Sequence, residues 1–430
     1  MYDMKSFVIN GGKPISGEIE AAGNKNAVLK MIPATLLTSE KVTLTKVPDI
    51  LDVDVMLEIM KEIGSEIHYD KANQRLEIQT REVLNSSVNT ELASKLRASN
   101  MFLGPLLGRV GNVENVFPGG DKIGPREMNA HFDGLKQLGA SFTDYGDNKF
   151  KLEGEMHGGN IFLYEPSVTA TENIILAAVM AKGHTVLENA ACEPHVVELC
   201  KMLNKMGAKI TGLSSNRIEI DSVTSLSGCE YQIPSDHIYV GTMLTIAAIT
   251  QGEIVVKNII PEDMRPINYF LSKLGVEVEM GDSWCKVNKG QKMVVEDEVW
   301  ARTKGVYSQP WPCFPTDLMS LMIVLATQVN GSVLFFEKMY PGRMFFANYL
   351  NGMGANIISA DPHRIMVNGK TQLKGGITLD APDLRAGMAY VVAGLCANGE
   401  TKVTNVEHIF RGYPKIDEVL NSLGTEIKSV

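Results

Sequence analysis

Hydrophobic and polar residues follow one another along the chain in a pattern that recurs six times. Each copy is a short amphipathic run that ends in Leu, Ile or Met, continues with Gly, and passes into an alternating apolar segment. The copies read KEIGSEI, KQLGASF, NKMGAKI, SKLGVEV, NGMGANI and NSLGTEI, with glycines at Gly64, Gly139, Gly207, Gly275, Gly354 and Gly424. Their spacing of about 70 residues exceeds the roughly 20–50 residues of a solenoid repeat. It suits a small α/β layer, in which helices cover one side of a sheet.

Each copy predicts a helix followed by a strand. In the sixth copy, Ile416, Val419, Leu420 and Leu423 recur with the period of one helix face. The Gly after the helix suits a left-handed cap, because it has no Cβ. The alternating residues that follow predict a half-buried strand, and a further strand, often led by Gly, is predicted upstream of each helix.

Six such units in 430 residues predict an α/β (α+β) chain of two domains with three units each. No Pro/Gly/Ser linker marks the boundary, which we place near Gln232-Ile233-Pro234, between the third and fourth units. The first 20 or so residues, which end in GEIEAAG, are predicted to form a leading strand that can belong to either domain.

Composition narrows the classes of function. The chain is 44% hydrophobic with a net charge of −9, which argues against broad binding to nucleic acids or anionic membranes. The start MYDMKSFVIN carries no signal peptide, and no apolar run reaches the ~20 residues of a membrane span, so we expect a cytoplasmic protein. The six cysteines form no C-x-x-C pair and are expected to be free, buried thiols. Neither metal-ligand spacing nor a dinucleotide or Walker fingerprint appears.

Three segments differ from the shared repeat in ways that can carry chemistry. Gly23-Asn24-Lys25-Asn26 leads into an apolar helix, whose N-terminus attracts anions and where Lys25 can bind a phosphate; the alternative is a solvated cap. The loop from Pro118 to Arg126 has the glycines and length of an active-site lid, or is an ordinary surface loop. Arg97 precedes an apolar helix, where an Arg usually extends to solvent.

The second half of the chain adds one acid and three cations. Asp317, in Phe314-Pro315-Thr316-Asp317, begins an apolar helix, either as its N-cap or as a positioned base. Arg343, Arg385 and Arg411 lie in or near loops of the repeat. If these arginines converge with Lys25, Arg97 and Arg126, the matching ligand carries phosphates and a carboxylate.

Together these residues resemble the enolpyruvyl transferase family, over essentially the whole chain. The matching motifs are the opening GG-x-x-x-x-G, the G-x-K-N turn, VPDILDVD with Asp52 and Asp54, the RAS triplet at Arg97, GG-x-x-I-G-x-R ending at Arg126, NAACEP, FPTD, DLRA and RGY. Each is weak alone, but their shared order makes chance agreement improbable.

The resemblance implies a fold and a reaction. The family fold is a two-domain inverse α/β barrel of six βαβαββ units, with residues 22–233 forming the domain of the lid loop and residues 1–21 and 234–430 the other. The family's branch nearest in motif transfers the enolpyruvyl group of phosphoenolpyruvate to UDP-N-acetylglucosamine, releases phosphate, and serves peptidoglycan precursor synthesis without metal or organic cofactor. We expect a monomer.

The resemblance also implies roles for individual residues. Lys25, Arg126 and Arg411 would hold phosphoenolpyruvate, and Asp317 would be the base near the acceptor hydroxyl. The UDP-sugar would be positioned by a larger set: Asn26, Arg97, Arg126, Glu127, Met128, Asn129, Ala130, Ser167, Val168, Asp317 and Met339. Arg343 and Arg385 match further positions of the family's active site, and the lid loop would close over both substrates.

One departure affects the chemistry directly. The family usually has Cys where this chain has Asp121, the proposed acid that protonates the methylene carbon of phosphoenolpyruvate. A carboxylic acid can do so if its pKa is raised; burial would raise it, whereas Lys122 and Arg126 would lower it. Because a carboxylate is a poorer soft nucleophile than a thiolate, we expect resistance to fosfomycin, which alkylates that Cys.

Other departures concern the acceptor. Thr169 replaces a usual Gly, His237 and Tyr239 replace Arg and Glu, and Glu127-Met128-Asn129 replaces Pro-x-Asp. These changes leave two alternatives open: a paralogue that uses another nucleotide or shikimate phosphate as acceptor, and a lapsed enzyme that only binds a nucleotide sugar.

Overall fold

The computed structural model describes residues 6–119, 123–124, 126–295 and 304–430 of the chain. By contacts between residues the chain divides into two compact units. The N-terminal unit comprises Gly23–Gly120 and Arg126–Pro234, and the C-terminal unit comprises Met1–Ala22, Asp121–Pro125 and Ser235–Val430. Each unit has its own buried hydrophobic cluster.

In the described part of the chain, the strands in sequence order are β1 Phe7–Asn10, β2 Ser16–Glu20, β3 Val42–Thr45, β4 Glu66–Asp70, β5 Arg75–Gln79, β6 Asn112–Val116, β7 Ser141–Gly146, β8 Lys149–Glu153, β9 Asn160–Phe162, β10 His184–Glu188, β11 Lys209–Thr211, β12 Arg217–Asp221, β13 Glu230–Gln232, β14 Glu253–Lys257, β15 Val278–Met280, β16 Trp284–Val287, β17 Lys304–Ser308, β18 Gly331–Glu337, β19 Ile357–Asp361, β20 Arg364–Gly369, β21 Thr378–Asp380, β22 Glu400–Thr404 and β23 Glu426–Ser429.

The α-helices of the same residues are α1 Lys25–Ala34, α2 Leu51–Ile63, α3 Thr90–Lys95, α4 Leu103–Val110, α5 Asn129–Gln137, α6 Val168–Ala178, α7 Pro194–Lys205, α8 His237–Ile249, α9 Arg265–Lys273, α10 Met319–Ala326, α11 Ala347–Gly352, α12 Leu384–Cys396, α13 Glu407–Phe410 and α14 Ile416–Ser422. Short 3₁₀ segments span Thr35–Leu37, Arg97–Phe102, Pro261–Met264, Thr316–Leu318 and Pro341–Met344.

The N-terminal unit holds three sheets, in the strand orders β13-β3-β5-β4, β6-β8-β7 and β11-β12-β10-β9. Strands within them alternate between buried and solvent-facing residues, as β8 does, so each sheet has one face in the core and one outside. Helices α1 and α6 are buried along almost their whole length. Because these helices are buried on nearly every side, the helices lie inside and the sheets outside.

The C-terminal unit repeats this arrangement with the sheets β15-β16-β14-β2, β17-β18-β20-β19 and β21-β22-β1-β23. Every residue of α8 and α10 is buried, and so is α12 apart from its last residue, Cys396. Three sheets in each unit around buried helices confirm the predicted inverse α/β barrel of six repeats. The six repeat glycines also have the predicted left-handed backbone, with φ from 74° at Gly275 to 114° at Gly64.

The beginning of the chain differs from its sequence prediction. Two strands form where one was expected, and they join different sheets of the C-terminal unit. β1 lies between β22 and β23, whereas β2 pairs in parallel with β14. Residues Gly11 to Ile15 separate the two strands. The alternation of apolar and polar residues in the sequence does not reveal this break.

Candidate active site

The acid of the C-terminal unit lies between two arginines. Asp317 sits in the 3₁₀ segment Thr316–Leu318, and one of its carboxylate oxygens accepts from Arg343 at 2.6 Å while the other accepts from Arg385 at 2.8 Å. The alternative prediction of a simple N-cap is therefore wrong, since no side chain caps this segment. Both arginines are buried, and the ion pairs fix three segments distant in sequence.

Arg343 has donors to spare. Its side chain is about nine-tenths buried, and its Nη2 binds Asp317. Among the described residues, its Nε and Nη1 have no hydrogen-bond partner. Buried donors of a charged group without partners are costly, so these two atoms suit the oxygens of an anionic ligand.

Arg385 belongs to a longer buried network. Arg385 lies in the first turn of α12, a helix that Asp383 caps. Its Nη1 donates to the Tyr413 hydroxyl at 3.1 Å. That hydroxyl also bonds the Thr242 hydroxyl of α8 at 2.9 Å. Burial opposes the charge, but Asp317 holds the pKa of Arg385 above its ordinary value. Arg385 therefore remains a cation in the core.

His237 and Tyr239, the two departures on α8, lie near this network. His237 is buried and its ring approaches that of Trp311 at 5.4 Å in an edge-on geometry. Burial lowers the pKa of His237, although Asp236 and Asp317 oppose the shift. Burial also raises the pKa of Tyr239, whose ring lies 6.3 Å from that of Tyr413. Both side chains are consequently uncharged at neutral pH.

In the N-terminal unit, the predicted phosphate-binding lysine is paired with an acid. Lys25 is the first residue of α1, and its Nζ lies 2.8 Å from an oxygen of Asp52 in the first turn of α2. Asn24 caps the helix by accepting from the Ala27 N–H at 3.0 Å. Both charged side chains are buried, so Asp52 fixes the position of the Lys25 ammonium.

A second buried ion pair lies one turn further along the same helix. Lys30 donates to the backbone carbonyl of Asn26 at 2.8 Å and lies 3.3 Å from Glu172 of α6. His195 of α7 is 3.9 Å from the same carboxylate. Burial raises the pKa of Glu172 to about 7, against the opposing effect of Lys30. Glu172 was not among the residues predicted from the sequence; the signal was a charged residue just before the apolar run at residues 174–178 of α6.

The start of α5 is held by Arg97. Its guanidinium donates to the backbone carbonyl of Glu127 at 3.1 Å, and the Glu127 carboxylate accepts from Asn129 at 2.8 Å. Arg97 is thus bound to this segment. The expectation that its side chain simply extends to solvent does not account for this bond. Met128 and Ala130, between and after these residues, are buried.

Thr169 enters a buried polar network through α5. Its hydroxyl lies 2.9 Å from Nε2 of His131, whose Nδ1 is 3.0 Å from the side-chain nitrogen of Asn173. Burial lowers the pKa of His131 to about 3, so the ring is neutral. The hydroxyl that replaces the family's usual Gly therefore ties the first turn of α6 to α5.

The remaining predicted residues are placed as follows. Asp121 and Lys122 lie outside the described residues. Ser167 is the N-cap of α6 without a side-chain cap bond, Val168 is its first residue, and Arg411 directly follows α13. Arg126 is half-buried. The backbone N–H of Met339 donates to Glu337, which was also not predicted from the sequence.

Between the ends of the predicted lid loop, Ile123 and Gly124 are described. The carbonyl of Ile123 accepts from the N–H of Gly342 at 2.9 Å, within the C-terminal unit. Ile123 is buried. This contact ties the segment that follows Asp121 to the 3₁₀ segment carrying Arg343.

All six cysteines are free, as expected, but their burial varies. Cys200 and Cys285 are buried, Cys192, Cys229 and Cys396 are half-buried, and Cys313 is exposed, which corrects the prediction of buried thiols. Within the described ranges, no three His, Cys, Asp or Glu side chains are arranged to hold a metal ion. No helix in that part of the chain is long and apolar enough to cross a membrane.

Comparison with known proteins identifies similar chains. The sequence model of the family described as EPSP synthase (3-phosphoshikimate 1-carboxyvinyltransferase) matches residues 9–420. UDP-N-acetylglucosamine 1-carboxyvinyltransferases of Borreliella burgdorferi and Treponema denticola are 43% and 44% identical to this chain, over 99% of each partner. The protein of that name from Bradyrhizobium diazoefficiens is 40% identical, over 99% of this chain and 98% of its own.

Solved structures show the same fold. The enolpyruvyl transferase NikO from Streptomyces tendae superposes with a TM-score of 0.89 at 20% identity, over 99% of both chains. EPSP synthase from Acinetobacter baumannii superposes with a TM-score of 0.76 at 18% identity, over 100% of both. At such identities these structures are evidence for the fold alone.

Proposed function

The chain belongs to the EPSP synthase family of enolpyruvyl transferases, and from this premise we propose that it transfers the enolpyruvyl group of phosphoenolpyruvate to UDP-N-acetylglucosamine and releases phosphate. The observation that carries the proposal is its identity of 40–44%, over nearly full length, to proteins of that activity. The reaction supplies peptidoglycan precursor synthesis. We place it in the cytoplasm, with the protein acting as a monomer.

Three cations are proposed to hold phosphoenolpyruvate: Lys25, Arg126 and Arg411. The substrate carries a phosphate and a carboxylate, and guanidinium groups bind both with paired hydrogen bonds. Lys25 starts α1, and the N–H groups of a helix N-terminus add a further positive potential. The Asp52 carboxylate supports this role, because it holds the Lys25 ammonium in one place before the substrate arrives.

The acceptor is proposed to contact a larger set of residues. Two helix starts contribute Asn26, Ser167 and Val168, and the segment held by Arg97 contributes Glu127, Met128, Asn129 and Ala130. The set is completed by Arg97 itself, Arg126, Asp317 and Met339. The Nε and Nη1 of Arg343, which have no hydrogen-bond partner among the described residues, are donors for the anionic part of this ligand. Arg385 holds Asp317 from its other side.

Addition is the first proposed chemical step. Asp317 accepts the proton of the sugar hydroxyl while the hydroxyl oxygen forms a bond to C2 of phosphoenolpyruvate, and Asp121 donates a proton to C3. The C2–C3 double bond is consumed, and C3 becomes a methyl group. Cations around the phosphate and carboxylate stabilise the charge that develops.

Elimination completes the reaction. The bond between C2 and the phosphate oxygen breaks, the methyl group at C3 returns a proton to the Asp121 carboxylate, and the double bond reforms in the product. Atoms balance without a redox partner, since the proton taken from the hydroxyl and the phosphate are the only other products. Asp121, with an oxygen where the family usually has sulfur, should not be alkylated by fosfomycin.

One assay tests the proposal. The purified chain is given phosphoenolpyruvate with UDP-N-acetylglucosamine, and phosphate release is followed; shikimate 3-phosphate and a second UDP-sugar are the comparison acceptors. We expect release with UDP-N-acetylglucosamine alone, and loss of turnover in Asp121→Ala and Lys25→Ala. Release with another acceptor instead would overturn the assignment, whereas tight binding without turnover would indicate a lapsed enzyme.

Fosfomycin provides a second arm of the same experiment. Activity should persist in the wild type after incubation with the drug, and the Asp121→Cys variant should lose activity and gain a covalent mass adduct. Rapid inactivation of the wild type with an adduct would refute the proposed role of Asp121.

A further inference from the structure

A fully buried carboxylate sits where the strand pattern calls for an apolar residue. Glu337 ends β18, and it follows Val333 and Phe335 on the inward face of that strand. Its side chain has no exposure to solvent. Burying a charged group without partners is costly, so its contacts must be strong enough to retain it.

Four donors satisfy this carboxylate. Oε1 accepts from the Ser308 hydroxyl at 2.7 Å and from the backbone N–H groups of Met339 and Tyr340 at 2.9 and 3.0 Å. Within the part of the chain that the structure describes, Oε2 accepts from the Thr316 hydroxyl alone, at 2.7 Å. Hydrogen bonds to an ionised acceptor are among the strongest in proteins. One side chain thereby joins three segments of the C-terminal unit.

Two of these segments carry proposed site residues. Thr316 directly precedes Asp317, and Tyr340 lies three residues before Arg343. Met339 is itself proposed to line the sugar site. The Asp317–Arg343 ion pair at 2.6 Å therefore spans two segments that Glu337 also joins through its hydrogen bonds. Ser308, at the end of β17, is the only one of the four donors outside these two segments.

We propose that Glu337 is a positioning residue for the transfer reaction, acting through Thr316 on Asp317 and through the Met339 and Tyr340 amides on the acceptor-binding loop. The inference rests on the proposed function of Asp317 as the base. Because Glu337 is fully buried, it would touch neither substrate nor reacting atom. Its effect is geometric, because a base displaced by about 1 Å can lose roughly 100-fold in rate.

The two oxygens of Glu337 allow a matched pair of variants. Thr316→Val removes the bond to Oε2 that is adjacent to Asp317, and it keeps the shape of the side chain. Ser308→Ala removes a bond of the same length from Oε1 and leaves that oxygen its two backbone donors, although the Lys338 N–H also loses its 3.1 Å bond to the Ser308 hydroxyl. Each variant removes one hydrogen bond from the same buried carboxylate, but only Thr316→Val alters the segment that carries Asp317.

We expect Thr316→Val to lower kcat by about 10- to 100-fold with little change in the KM for phosphoenolpyruvate. Ser308→Ala should retain kcat within about threefold, even if both variants lower the melting temperature alike. Equal kcat values in the two variants would overturn the proposal, since a merely structural role predicts losses that follow stability. A wild type that does not release phosphate overturns the proposed function itself, and with it this inference.

Glu337→Gln covers the case in which Thr316→Val fails to fold. Gln keeps an oxygen for the three donors of Oε1, and its amide nitrogen can donate to the Thr316 hydroxyl, which then accepts. We expect kcat of Glu337→Gln to stay within about tenfold of the wild type and that of Glu337→Ala to fall much further. If Gln is as damaging as Ala, charge rather than position is the active property, and the proposal is wrong.

Discussion

Burial in the N-terminal unit raises the pKa of Glu172 into the neutral range, where the change can be measured. Its folded pKa of about 7 exceeds its ordinary value of 4.5, because burial penalises the carboxylate. The charged and titratable groups facing it are Lys30 on α1, and His195, Glu193 and Cys200 on or beside α7. The native state therefore keeps a proton that the unfolded chain has already released. Stability from this group is complete below about pH 4.5 and is lost as the pH rises to about 7.

Glu172→Gln should reveal this dependence. Gln cannot release a proton, so the stability of the variant relative to the wild type should improve between pH 5 and 7 by an amount of the order of 2–3 kcal/mol, and stay level above. Urea unfolding at several pH values measures it. The slope should persist in a His195→Gln background, and Glu91→Gln, an exposed carboxylate on α3 whose pKa Lys95 lowers, should not reproduce it. Parallel curves for wild type and Glu172→Gln would contradict the assignment.

Asp317 allows stability and activity to be separated at one residue. Asp317→Asn leaves the guanidinium groups of Arg343 and Arg385 buried without their counter-charge, and breaking a buried pair in this way costs about 3–5 kcal/mol. Adding Arg343→Gln should recover part of that loss, because one uncompensated charge is removed. If Asp317 is the base, neither Asp317→Asn nor the double variant should release phosphate. Melting curves and the release assay together decide, and an active Asp317→Asn enzyme would exclude the role.

These residues also show where sequence reasoning stops. Asp317 was a candidate because it begins an apolar helix, and Arg343 and Arg385 because they lie in or near loops of the repeat; the structure brings the three together. Glu172 and Glu337 were not candidates, although each is an acid at a position that periodicity assigns to the core. Their partners lie far away in sequence, and no local pattern announces a pairing of that kind.

At the scale of elements, the 3₁₀ segment Pro341–Met344 is in close contact with the segment after Asp121. A Cβ added at Gly342 would lie 2.5 Å from the carbonyl carbon of Ile123, closer than side-chain contacts permit. The backbone of Gly342 is not left-handed, so Ala is acceptable there in every other respect. Gly342→Ala thus tests this contact selectively.

We expect Gly342→Ala to lower the rate of phosphate release at least several-fold, because Ile123 must move and Asp121 lies two residues before it. The melting temperature should change little. Gly352→Ala is the matched control, since an added Cβ there meets nothing within 4 Å. Equal activities of the two variants would show that the Ile123 contact has no part in the reaction.

The elements themselves were largely foreseeable. Six helix–Gly–strand patterns gave helices and strands at the expected places, because amphipathic periodicity and left-handed caps are local properties. The pairing of strands was not local. Nothing in the opening residues indicates that β1 would lie between the last two strands of the chain while β2 joins β14.

At the scale of the whole molecule, sixfold repetition produces two separate hydrophobic clusters. One contains the buried residues of α1, α4 and α6, the other those of α8, α10 and α12, and the two share no residue. A compact unit with its own core is able to unfold cooperatively by itself. Chains with two such units commonly depart from two-state behaviour.

Calorimetry can therefore assign a transition to each unit. We expect the unfolding endotherm to resolve into two components, one lowered by Leu106→Ala on α4 and the other by Leu325→Ala on α10. Both leucines are fully buried, and such truncations cost about 2–5 kcal/mol, enough to shift a unit of this size by several degrees. Because the two changes are chemically identical, each is the control for the other. If a single component moves equally in both variants, the two cores unfold as one cooperative body, and the sixfold repeat defines architecture without defining independent stability.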